Sequence, residues 1–133
     1  MTPAPSLHHF AYSITPHTLE LVLELFEMFG CSLGYRKGDA RWCIIEQKPI
    51  PVDLQLIEVN NIPVTVIDLK LNTHIAFLSD DPVRVVDMVR MWAQEKNVAF
   101  RDGGWSEREL WFDLPEVFVN FVIEVMHPDI VKG

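Results

Sequence analysis

The chain has 133 residues, 49% of them apolar and 23% charged, which suits a folded chain with one sizeable core and excludes a disordered one. Its formal charge of −8, with the eleven Lys and Arg scattered, repels phosphate backbones and excludes nucleic acid as an expected partner. Cys31 and Cys43 form no C-x-x-C pair and are read as reduced and structural. No apolar run approaches the roughly 18 residues of a spanning helix, and Met1 to Ser6 lacks a basic stretch followed by an apolar core, so a cytoplasmic protein with no membrane partner is expected.

In chain order, Leu7 to Ile14 alternates, with Phe10, Tyr12 and Ile14 on one face and His9, Ala11 and Ser13 on the other, the period of a half-buried strand. Thr15-Pro16 reads as a helix start. Leu19, Val22, Leu23 and Phe26 follow at helical spacing, Leu21, Leu25 and Met28 form a second stripe, and Gly30 closes the helix. The second stripe calls for another cover, and a homodimer is expected. Leu33-Gly34-Tyr35, Arg41 to Glu46 and Val52 to Val59 are strand-like, and residues 60–71 read as a linker.

The second half replays this order. Asn72 to Leu78 alternates, Asp80-Asp81-Pro82 is a cap-then-proline start, and Val85, Val86, Val89 and Trp92 form the buried stripe of a second helix. Val98 to Arg101, Glu109 to Phe112 and Phe118 to Val125 read as strands, with Gly103-Gly104 as a turn. His9 and Gln55 lie 46 positions apart, and so do His74 and Asn120 (55 − 9 and 120 − 74), so one 65-residue offset relates the two pairs. Gly38 and Gly103 match at the same offset. The division is therefore one domain over 1–133, with modules at about 7–59 and 72–126.

Leu7-His8-His9-Phe10-Ala11, Thr73-His74-Ile75-Ala76-Phe77 and the Leu33-Gly34-Tyr35 turn, in this order and repeated, resemble the vicinal oxygen chelate superfamily. That superfamily includes glyoxalase I, methylmalonyl-CoA epimerase, extradiol dioxygenases and the bleomycin- and fosfomycin-resistance proteins. The resemblance spans Leu7 to about Met126 and implies an α+β fold of two βαβββ modules. Their strands would form a shared cup-shaped mixed sheet with the helices outside. Carried across by position, the metal ligands would be His9, Gln55, His74 and Asn120, holding Zn, Ni, Co, Mn or Fe.

The departure is Asn120, which stands where the family usually has a Glu, and two imidazoles with two amides neutralise none of a divalent ion's charge. A weak or absent metal is therefore expected. Glyoxalase and epimerase chemistry also needs a base. Asp53, which shares strand parity with Gln55, is the candidate, whereas Glu124 lies four residues beyond Asn120, roughly 13 Å by strand rise. Trp42, Trp105 and Trp111 are read as cup lining and Trp92 as core; His8 points away from the cup. The expected function is that of a metal-dependent lyase or isomerase acting on a small carbonyl or oxyanion substrate. The alternative is a metal-free small-molecule binder of the bleomycin-resistance type.

Overall fold

The structure is a computed structural model and describes residues 3–132. The elements run β1 (His9–Ile14), α1 (Leu19–Met28), β2 (Ser32–Tyr35), β3 (Trp42–Glu46), β4 (Asp53–Glu58), α2 (Ile67–Lys70), β5 (His74–Leu78), α3 (Pro82–Glu95), β6 (Arg101–Ser106), β7 (Glu109–Asp113) and β8 (Val122–Met126), closed by a 3-10 turn over Pro128–Val131. This is an α+β chain of two βαβββ modules. Each module has its own four-stranded mixed sheet, ordered β1-β4-β3-β2 in the first and β5-β8-β7-β6 in the second. Compact units span Met1–Asn60 and Asn61–Gly133. No helix among the described residues is long and apolar enough to cross a membrane.

In module one the sheet buries Ile14, Cys43, Ile45 and Leu56 on the face that carries α1, and the helix answers with Leu19, Val22, Leu25 and Phe26. Each such side chain withdrawn from water contributes about 1.5–3 kcal/mol. Leu25 thus belongs to the buried stripe, and Leu21, Leu23 and Met28 are half-buried. The second stripe expected to need another cover is therefore partly covered within the module. Gly30 (φ +81°) ends the helix as expected, with the Cys31 N–H donating to the Phe26 carbonyl at 3.0 Å.

The start of α1 differs from the expectation. His17 takes a positive φ of 65°, so Pro16 lies in a turn and the helix begins three residues later, at Leu19. Thr18 gives no side-chain cap; the Glu58 carboxylate of β4 accepts the Leu19 N–H at 3.0 Å instead. Arg41 holds that carboxylate at 2.6 Å and Glu20 of α1 at 2.8 Å, clamping helix to sheet.

Module two starts its helix locally: Pro82 occupies the first turn and Asp81 accepts the Arg84 N–H at 3.2 Å. Phe112, Ile123 and Val125 are fully buried on the helix side, with Val86, Val89 and Trp92 above them. Two sequence expectations fail here. Gly103 and Gly104 are not a turn; they lie inside β6, opposite Trp111 and Leu110. Residues 118–121 form no continuous strand, Phe118 making a single isolated bridge: Leu114, Val117, Phe118, Val119 and Phe121 form a buried loop in which the Phe118 and Phe121 rings stack at 4.4 Å. Residues 61–71 belong to this unit: the Val64 N–H donates to the Val119 carbonyl, and Lys70 of α2 reaches Asp113 of β7 at 2.9 Å.

Candidate functional site

Residues paired across a sheet point to one face, so strand register decides which side chains share the open face, opposite the helix. In module two one row of that face reads Ala76, Glu124, Trp111, Gly103 across β5, β8, β7 and β6. In module one the matching row is Ala11, Gln55, Ile44, Tyr35. Gln55 therefore corresponds to Glu124, not to Asn120. The 65-residue offset relates His9 to His74, but β4 and β8 are 69 apart (124 − 55).

Asn120 is exposed, two residues before β8 begins, in the loop of buried phenylalanines. Glu124, not Asn120, is the residue of β8 in register with Ala76 and Trp111 on the open face, and the strand-rise argument against it fails because β8 starts at Val122, later than the apolar run suggested. His74 opens β5 and is exposed; its Nδ1 lies 3.0 Å from the Leu71 carbonyl. A carbonyl only accepts, so Nδ1 carries the proton, and in the neutral ring Nε2 is left with its lone pair. That Nε2 stands 3.3 Å from Glu124 Oε2. Glu124 is 7% exposed. Burial pushes its carboxyl up from the usual carboxylate range; a positive charge on His74 counters this, and Glu109 adds to it.

An imidazole nitrogen fixed in tautomer by a main-chain carbonyl and facing a desolvated carboxylate is a donor pair that suits a divalent cation. A proton between them or a bound cation would satisfy both groups. Module two supplies two such donors, and among the described residues no group of three or more His, Cys, Asp or Glu is gathered for a metal.

The other sequence candidates lie as follows. His9 opens β1, exposed and paired with Asp53; its Nδ1 is 2.9 Å from that of His8, so the His8 ring stands beside it rather than turning away. Gln55 is half-buried on the open face of β4, and Asp53 lies on the same face two residues before it. Trp42 shares that face in the row of Ile57, its ring 5.8 Å from Tyr35. Trp111 is on the open face of module two beside Glu124. Trp105 is not on that face. It is exposed at the β6 bulge and shares a shallow groove with Val83 of α3 and with Leu110, whose strand parity puts it on the helix side.

Two residues sit otherwise than expected: Glu124, set aside on strand rise, and Gly103, expected in a turn. A Cβ at Gly103 would fall 2.6 Å from Trp111 Cζ2 and 2.9 Å from its Cε2, so the indole lies across the β6 main chain. The available signal is a glycine pair a few residues before a tryptophan, a spacing that also fits two strands with Gly103 opposite Trp111.

No protein-family model matches the chain, and no curated protein does. Solved structures do. A glyoxalase from Bacillus halodurans, described there as putative, is similar over 92% of this chain and 95% of its own, with 14% identity and a TM-score of 0.59. Fosfomycin resistance protein FosX from Listeria monocytogenes, solved with Mn(II) and sulfate, covers 94% and 93% at 16% identity and a TM-score of 0.58. TnmS3, an antibiotic binding protein from Streptomyces sp. CB03234, covers 96% and 99% at 16% identity and a TM-score of 0.51. The chain has the fold of the vicinal oxygen chelate proteins, as the paired motifs implied.

Proposed function

We propose that this is a glyoxalase-like protein that holds a divalent cation through His74 and Glu124 and acts on a small carbonyl or oxyanion compound as a lyase or isomerase. The observation that carries the reading is the His74 Nε2 to Glu124 Oε2 approach of 3.3 Å, with Nδ1 tied to the Leu71 carbonyl. The Mn(II) in the structurally similar FosX supports it. A bound cation would supply Lewis-acid polarisation of a carbonyl or stabilisation of a developing oxyanion. Glu124 itself, on the open face within 3.3 Å of His74 Nε2, replaces Asp53 as our candidate for moving a proton.

The test is calorimetry on chelator-stripped protein with Mn(II), Ni(II), Co(II) and Zn(II). Glu124→Gln and His74→Ala should each weaken binding about 10–100-fold, the scale of losing one well-oriented contribution to a site. Asn120→Ala should not matter, and His9→Ala reads whether module one contributes. Equal losses in Asn120→Ala and Glu124→Gln would overturn the assignment.

A second reading, a metal-free binder, is favoured by the half-buried indole on the same face and by likeness to an antibiotic binding protein. Absence of cation binding together with saturable quenching of tryptophan fluorescence by a small molecule would establish it over the first.

A further inference from the structure

We propose that Trp111 and Gly103 form a stacking shelf for a planar aromatic cation on the open face of module two. The proposal deepens the reading of that face as a ligand site, but it needs no metal ion. Glycine inside a strand weakens it, and its usual benefit is close approach of something to the backbone. Here the indole is what approaches: with no side chain at Gly103, it lies flat across β6 instead of standing up from the sheet.

The rest of the row keeps the shelf clear. Ala76 and Gly103, at its two ends, project a methyl group and nothing, so within this row Glu124 is the one long side chain beside the ring. Trp111 is half-buried, and among the described residues its ring has no aromatic contact and its indole N–H no acceptor. A flat π-system is the shape that such a surface accepts.

Charge selects the sign. Glu109 precedes Trp111 by two residues on the same face of β7, roughly 7 Å away by strand rise. It has no cationic partner among the described residues, yet stands close enough to Glu124 to act on its carboxyl. The positive groups on this face lie on the other side of Trp111. Lys70 and Arg101 both bond Asp113, and Arg101 also donates to the Thr65 carbonyl, so their charge is shared with that carboxylate; the remaining Arg101 Nη2 is buried. A ring stacked on Trp111 with its positive group toward Glu109 gains cation–π attraction and a carboxylate contact together. The chain's −8 charge draws such ligands in from solution.

The experiment is a fluorescence titration with proflavine, a planar tricyclic cation, in buffer containing EDTA, with naphthalene-2-sulfonate as the planar anion. Saturable proflavine binding is expected, weakened about tenfold or more in Trp111→Ala and kept within about threefold in Trp111→Phe, which preserves a flat ring. Glu109→Gln should weaken proflavine about threefold while leaving the sulfonate unchanged. Circular dichroism of each variant separates loss of binding from loss of fold. No proflavine binding, unchanged binding in folded Trp111→Ala, or equal affinity for the anion would each overturn the proposal. His74→Ala distinguishes it from the cation site: that variant should lose Mn(II) and still bind proflavine, and loss of both would overturn the shelf as a separate site.

Discussion

The two modules share a topology and differ in where they place their charge. Module one keeps its ion cluster on the helix side and near water: Arg41, with 42% of its side chain exposed, bridges Glu20 and Glu58 at the start of α1. Its open-face row is neutral, Ala11, Gln55, Ile44 and Tyr35. Module two caps its helix with one local aspartate and moves its charge to the open face. There Glu124 stands beside Trp111, and Asp113 meets Lys70 with both side chains fully buried. The difference teaches that one frame accommodates two charge layouts: in module one a buried carboxylate, Glu58, is matched by a partly exposed arginine, and only module two buries both members of an ion pair. Buried charge costs several kcal/mol unless matched, so the second copy is the one in which individual changes should matter most.

The sharpest way to break this comparison is Asp113→Ala, which leaves Lys70 buried without its counterion and frees Arg101. Breaking a buried pair from one side costs about 3–5 kcal/mol, so chemical denaturation should show a loss on that scale. A loss below about 1 kcal/mol, the range of exposed pairs, would erase the contrast.

The corresponding probe of module one is acid. Arg41 chiefly, with the Leu19 and His17 N–H groups, holds the Glu58 carboxyl down at about 2 against an ordinary 4.5. A carboxyl lowered on folding contributes stability that is fully present above the unfolded value and is lost as pH falls through the folded one. Stability should therefore decline between about pH 4.5 and 2, and Glu58→Gln should flatten this part of the profile at a cost near 1.5–3 kcal/mol at neutral pH. Thermal melts across that range check it; an unchanged slope in Glu58→Gln would remove the clamp from the account.

Gly103→Ala and Tyr35→Ala compare the same register position in the two modules. The first puts a Cβ 2.6 Å from the Trp111 ring and should cost about 1–3 kcal/mol through overpacking. The second trims a residue 52% exposed and should cost less, measurable by paired urea titrations. The smallest effect belongs to Asp81→Ala, about 1 kcal/mol for loss of a helix cap, since the Asp81 oxygen accepts one N–H at the start of α3. A cost comparable to that of Asp113→Ala would mean that module two depends on its cap more than on its buried ions.

Much of the frame was legible in the sequence because it rests on local chemistry: Gly30 at positive φ, Asp81-Pro82 before α3, and histidines opening β1 and β5 after matching alternations. The fourth site position was not legible. From Leu114 to Val125 the chain is so rich in apolar residues that alternation cannot fix parity, and a buried loop and a buried strand look alike there. The apparent 65-residue repeat then favoured Asn120 over Glu124. Gly103-Gly104 misled for a related reason: a glycine pair signals a turn unless the bulk opposite it is known, and Trp111 is a partner that only strand pairing reveals. The Arg41 clamp joins residues 17 and 21 positions apart, beyond the reach of local spacing rules.

The buried Lys70–Asp113 pair also determines where this chain can be divided. Spacing of the repeats invites a cut near residue 71, between the two histidine-bearing halves. That cut would deliver Lys70 to one fragment and Asp113 to the other, and with it the Val64 contact that ties the connecting segment to the loop before β8. A cut after Asn60 leaves both interactions within the C-terminal fragment. For split reporters, segmental isotope labelling or circular permutation, the usable seam is therefore eleven residues (71 − 60) earlier than the repeat suggests, and Ile67–Lys70 travels with the second half as its first structural element.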